Sequence, residues 1–247
     1  MDQEAFQKHL SEEHNEHTIA NHLKEFIYGG SDGIVTTFAV VAGFSGANIG
    51  QGNLNLAMVS VLLFGLANLF ADGAAMGLGS LLSLRSHKKL FQNAYQKEFE
   101  ETKNSFDFEV LETEHILEDQ GFSKSNAKEL TKIISTNREF WAKFMVKYEL
   151  GITNPDNENE YLNGLATFAS FLIFGFIPLT PYFFKGNQDD LFLYSIIATF
   201  FSLCLLGFLR AYLAKERLVP AVGEVLFVGV VSSSLAYLVG FLFKNIV

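Results

Sequence analysis

The sequence predicts an all-α, polytopic membrane protein with five transmembrane helices and a cytoplasmic helical insert between the second and third. Three observations predict it. Apolar residues make up 49% of the 247, and they gather in five runs instead of spreading evenly. Each run reaches the roughly 20 residues that a helix rising about 1.5 Å per residue needs to cross a hydrocarbon core about 30 Å thick. Charge is nearly absent from these runs and crowds between them, above all in residues 85–161, which hold 15 acidic and 11 basic side chains.

Residues 1–26 are polar and carry four of the six histidines: His9, His14, His17 and His22. They are expected to be a helical, cytoplasmic lead-in; an acidic segment without an apolar centre is not read as a secretory signal. Residues 27–84 hold the first two spans, about Ile27–Gly50 and Leu54–Leu84, each with one charge, Asp32 and Asp72. The second run is longer than one crossing needs, so its helix tilts or projects beyond the membrane.

Residues 85–161 read as a soluble domain of about three amphipathic helices. Apolar residues recur at helical spacing in Phe91, Ala94, Tyr95 and Phe99, and again in Trp141, Phe144, Met145 and Tyr148. Gly121 followed by Ser123 marks a helix stop and a new N-cap. Residues 162–247 supply three more spans, about Leu162–Phe184, Leu191–Leu213 and Val219–Phe243, with Pro220 opening the last. A cytoplasmic N-terminus then leaves 16 of the 18 basic residues on the cytoplasmic side. Only Lys185 and Lys244 fall opposite, with the C-terminus, as the positive-inside rule prefers.

Several classes are disfavoured. A net charge of -9 argues against nucleic acid as a partner. The single cysteine, Cys204, forms no intrachain disulfide. No phosphate-binding glycine loop, nucleophile–base pair or zinc-protease helix motif is found, so no enzyme activity is expected. No internal repeat is seen, which disfavours an inverted-repeat transporter.

Charges inside apolar runs are costly unless they line a polar path. Asp32 is therefore either an ion-binding carboxylate or an interfacial helix cap. Met76 lies one turn after Asp72; the pair offers a soft and a hard donor to a transition-metal ion, or Met76 simply packs. In the insert, Glu98 and Glu101, and Glu109 and Glu112, are spaced i, i+3, and Glu149 follows Met145 by four. Each set shares a helix face. These are metal ligands or an ordinary solvated acidic face paired with Lys97 and Lys103. His14 and His17 are likewise metal ligands or a solvated lead-in.

The run Tyr28-Gly29-Gly30-Ser31-Asp32-Gly33-Ile34-Val35-Thr36-Thr37, continuing to Gly43, resembles the first transmembrane helix of the vacuolar iron transporter (VIT) family. Residues 71–79 resemble its second span, and residues 144–151 the end of its cytoplasmic metal-binding domain. The resemblance implies a homodimeric, proton-coupled exporter of Fe²⁺ in a vacuolar or bacterial inner membrane, with no prosthetic group. It implies that Asp32 and Met76 line the ion path near the dimer axis. It implies a cytoplasmic metal site of Glu98, Glu101, Glu109, Glu112, Met145 and Glu149. Three positions depart from the family pattern, each removing a potential ligand: Asn68, Ser80 and Val146. Export of Mn²⁺ by the same architecture, or a membrane-anchored metal sensor, are the alternatives.

Overall fold

A computed structural model describes residues 3–47, 54–156, 158–184 and 188–243, without the side chains of 3–22, 54, 188 and 189. The N-terminal histidine side chains, Lys185 and Lys244 lie outside that description. Among the described residues all regular structure is helical: α1 (Gln3–Gly46), α2 (Leu54–Asn104), α3 (Phe106–Asp119), α4 (Lys124–Ile134), α5 (Arg138–Tyr148), α6 (Glu160–Phe176), a 3₁₀ segment (Ile177–Phe183), α7 (Gln188–Ala214) and α8 (Leu218–Phe243). The chain divides into two compact units, 1–81 with 161–247, and 82–160.

Among the described residues five helical stretches are long and apolar enough to cross a membrane: Leu23–Gly46, Asn55–Asn104, Glu160–Phe183, Asp190–Ala214 and Leu218–Phe243. The polar lead-in and the first span form one continuous helix, and no proline interrupts residues 3–46. At 51 residues α2 is about 75 Å long, far more than one crossing, and its apolar run ends at Leu84. The third span differs from the expected single helix. It changes to 3₁₀ at Ile177, because Pro181 has no N–H to give the Ile177 carbonyl. The Thr180 hydroxyl donates to that carbonyl instead, at 2.7 Å.

The first unit is apolar outside as well as inside. Leu63, Phe64, Phe70, Phe200, Phe201 and Phe227 are exposed, whereas Thr37, Thr167, Ser170, Ser195 and Ser202 are buried. That pattern suits lipid as the surrounding solvent. Buried hydroxyls join helices: Ser170 donates to the Phe26 carbonyl on α1 (2.6 Å), and Ser195 on α7 to the Pro178 carbonyl (2.7 Å). Two apolar clusters fill the interior. One gathers Phe38, Val41, Val61, Leu179, Tyr182 and Leu191. The other gathers Ile34, Phe174, Leu203, Leu206 and Val225.

Glycines set the closest helix approaches. A Cβ on Gly77 of α2 would stand 2.8 Å from the Gly164 carbonyl oxygen of α6 and 2.9 Å from the Phe168 Cβ. Gly79, two residues on, faces open space. Small residues at such crossings let backbones touch.

The second unit folds around α5. Leu117, Ala127, Trp141, Phe144 and Met145 form its main cluster, and Phe91 and Ala94 of α2 meet Val146 in a second. Gly121 takes a positive φ of 97°, and the Ser123 side chain accepts from the Asn126 N–H, so the stop and cap stand as the sequence predicts. Lys88 and Arg85 pair with Glu160 at 2.6 and 3.7 Å.

The two glycines make a paired prediction. Gly77→Ala overpacks a backbone crossing, which costs about 1–3 kcal/mol and lowers the melting temperature by roughly 2–10 °C. Gly79→Ala leaves it unchanged or raises it, because alanine favours helix by up to about 1 kcal/mol. Thermal unfolding of both variants in the same detergent checks this; equal effects contradict the assigned contact.

Candidate metal centre

The second unit brings acidic side chains from three helices together. Glu98 and Glu101 come from the last turns of α2, and Glu109 from the first turn of α3; one ligand atom from each lies within 4.8 Å of the others. Glu98 is fully buried and Glu109 is 4% exposed. One oxygen of each, Glu98 Oε2 and Glu109 Oε2, has no hydrogen-bond partner among the described residues. Two ionised carboxylates at that separation repel by about 3 kcal/mol at an effective dielectric near 20. A buried acceptor without a donor adds about 1–3 kcal/mol. A cation among them removes both penalties.

Glu112 and Glu149 belong to the same field. Burial of its carboxyl, then the charges of Glu98, Glu112, Glu149 and Glu101, push Glu109 up to about 7. Glu149, at the C-cap of α5, is also pushed up to about 7, by burial of its carboxyl and by Glu98 and Glu112, with the Lys97 ammonium opposing. Met145 does not sit among exposed donors. It is fully buried, and its sulfur lies 3.3 Å from the Thr113 hydroxyl.

Three residues that the sequence does not assign to the site hold this arrangement. Trp141 Nε1–H donates to the Thr113 hydroxyl (2.7 Å), and that hydroxyl donates to the Glu109 carbonyl (2.7 Å). The link fastens α5 to the turn of α3 that carries Glu109. Arg138 fastens α5 to α2: its Nη2 donates to the Phe99 carbonyl at 2.8 Å, and its guanidinium lies 4.5 Å from the Phe99 ring centre. Phe99 stands between Glu98 and Glu101. A threonine four residues after a glutamate was the available signal, but it does not name its tryptophan partner.

In the first unit Asp32, Asp72 and Met76 are all half-buried. Asn68 and Ser80 are half-buried on the same helix. Sequence reading passed over one further charge. Glu224 lies within the last span, where the rule that picked out Asp32 applies equally. It accepts from Arg210 of α7 at 2.8 Å, and Arg210 also meets Glu216 at 3.2 Å. Lys24, Tyr28, Ser31, Arg210 and Glu224 border a cleft of about 590 Å³.

A description of the VIT family matches residues 23–241 of this sequence. The chain belongs to the VIT family. Its relatives include proteins named "Vacuolar iron transporter" from Centaurea cyanus, 29% identical over 94% of this chain and 92% of that protein, and from Plasmodium berghei (strain Anka), 31% identical over 96% and 88%. "Vacuolar iron transporter 1" of Arabidopsis thaliana is 28% identical over 93% and 88%. This VIT-family chain is thus matched through its apolar helices and through the unit that carries the five glutamates.

The raised carboxyls give the metal-free protein a defined pH response. Glu109 and Glu149 move from 4.5 to about 7 on folding, so the folded state binds protons more tightly between those values. The resulting stability is complete below pH 4.5 and is lost as pH rises through 7. Metal-free protein therefore melts at a lower temperature at pH 8 than at pH 5 in the transition of this unit. Added Mn²⁺ raises the melting temperature at pH 8 and not at pH 5, readable by calorimetry. Glu98→Gln, which removes one buried charge, melts higher than wild type without metal and gains nothing from Mn²⁺. A normal metal-induced rise in that variant takes Glu98 out of the site.

Proposed function

We propose that this protein exports ferrous iron from the cytosol in exchange for protons, into a vacuole or across a bacterial inner membrane. One observation carries the reading: two buried carboxylate oxygens without hydrogen-bond partners among the described residues, inside a cluster of glutamates whose mutual repulsion a divalent cation would relieve. Relatives named for iron transport support the choice of cargo.

In this mechanism the insert, residues 85–161, faces the cytosol and gathers the ion. Glu98, Glu101, Glu109, Glu112 and Glu149 supply hard oxygen donors, while the sulfur of Met145, expected as a further ligand, is buried against the Thr113 hydroxyl. Asp32 and Met76 then line the membrane path of a homodimer. Ionised Asp32 binds the metal, and a proton arriving from the far side neutralises it and releases the ion. Exchange of H⁺ for metal on one carboxylate couples the two fluxes without a nucleotide. Residues 1–26 lie on the cytosolic side and the C-terminus on the other.

Manganese is the second reading, and the donor set favours it specifically. The cluster offers oxygens alone, its one thioether is buried beside Thr113, and position 146 is a valine buried in the apolar cluster with Phe91 and Ala94. Oxygen-rich sites suit Mn²⁺ at least as well as Fe²⁺.

The deciding assay is metal uptake into proteoliposomes with a pH gradient, comparing Fe²⁺, Mn²⁺ and Zn²⁺ while luminal pH is recorded. Metal accumulation with matched proton exit is expected, fastest for Fe²⁺. Asp32→Asn keeps the size and removes the charge, so it lowers the rate at least about tenfold while leaving metal binding by the insert intact. Wild-type flux in that variant sinks the coupling mechanism. Absence of flux for every ion, with binding retained, favours a membrane-anchored sensor.

A further inference from the structure

Lys97 stands at the rim of the acidic cluster. Its ammonium lies 3.0 Å from Glu101 Oε2 and 3.4 Å from Glu98 Oε1. Among the described residues it is the one basic group in ion-pair contact with any of the five glutamates. The two sides of this contact differ in freedom. The Glu98 side chain is 1% exposed and fixed, whereas that of Lys97 is 59% exposed. Lysine is a compact charge on a flexible four-carbon stem, so it can leave for water without disturbing packing. Among the described residues Glu98 Oε2 and Glu109 Oε2 have no hydrogen-bond partner even with the ammonium in place. A single positive charge at the rim does not satisfy the cluster.

We propose that Lys97 is a tethered competitor for the transported cation, which sets how long the ion stays and excludes monovalent ions. The inference rests on the reading of the cluster as the ion-gathering site. An arriving divalent ion displaces the ammonium from Glu101 and Glu98, and brings twice its charge to the inner oxygens. A monovalent ion brings no more charge than the lysine already supplies, and must compete with a group held permanently beside the site. When the divalent ion leaves, the ammonium swings back and blocks its return. Lys97 thereby weakens equilibrium binding and speeds release, which is what a site that passes its ion onward requires.

The test uses the full chain in detergent micelles at pH 8, with Mn²⁺ alone as the probe. Free Mn²⁺ is read by electron paramagnetic resonance, and release is timed by stopped-flow mixing with a chelator. Lys97→Gln binds Mn²⁺ roughly two- to fivefold tighter than wild type and releases it correspondingly more slowly, the scale of a partly exposed ion pair. Its binding weakens when KCl replaces choline chloride at equal ionic strength, whereas that of wild type does not. Lys97→Arg, which keeps the charge, stays near wild type. Lys128→Gln, which removes one exposed charge elsewhere in the insert, also stays near wild type. Unchanged or weaker binding by Lys97→Gln overturns the proposal, as does an equal shift in Lys128→Gln. A wild type that binds no Mn²⁺ overturns the cluster reading together with this one.

Discussion

Like charges do not assemble themselves, so the acidic cluster depends on apolar packing that leaves its members nowhere else to go. That packing centres on α5. One of its faces carries Trp141, Phe144 and Met145 into the cluster with Leu117 and Ala127, and another presents Val146 to Phe91 and Ala94. Burial of a large side chain contributes about 1.5–3 kcal/mol. Several such contacts are of the size needed to oppose the repulsion among the glutamates. Arg138 and the Trp141–Thr113 link add direction to this adhesive force, since each ties α5 to the backbone beside a glutamate. The unit is held together by parts that do not touch an ion.

The membrane-spanning unit obeys the opposite arrangement. Its surface is aromatic and aliphatic, and its polar side chains turn inward. Water gives no drive to join such helices, so contact distance and internal hydrogen bonds decide the packing. Glycines at 29 and 33 flank Asp32 and bring α1 against the backbone of α6 near Thr167 and Phe171. The carboxylate thus stands on a helix whose neighbour is as near as two backbones allow.

Much of the architecture was legible because hydrophobic length is a one-dimensional property. Five runs of sufficient length gave five spanning helices; the ends of α7 and α8 fall within a few residues of the expected spans, whereas α1 begins and α2 ends about twenty residues beyond theirs. The 3₁₀ segment was not anticipated, although Pro178 and Pro181 were in view, because an expected span length drew attention from the missing N–H. Within the cluster, i, i+3 spacing placed Glu98 beside Glu101 and Glu109 beside Glu112. Spacing cannot say that two helices bring their pairs together, nor that Glu98 is dry while Glu101 remains partly open. Trp141 was legible as an apolar helix position, but its bond to Thr113 and that of Arg138 to the Phe99 carbonyl were not, because the partners are distant in sequence. Glu224 was missed for a lesser cause, being close enough to the start of its run to pass as a flank.

The unequal exposure of the glutamates has a consequence for hydration. Glu101 is 37% exposed, whereas Glu98 and Glu109 are sealed. On the proposed reading of the cluster as the ion-gathering site, an ion reaches Glu101 still carrying its water shell and must strip it in stages to meet the inner oxygens. Magnesium sheds water reluctantly and prefers to keep several molecules in its octahedron. On that reading the dry inner pair acts as a kinetic sieve among divalent ions, admitting them by how fast they undress, since Mg²⁺ and Fe²⁺ share the same charge.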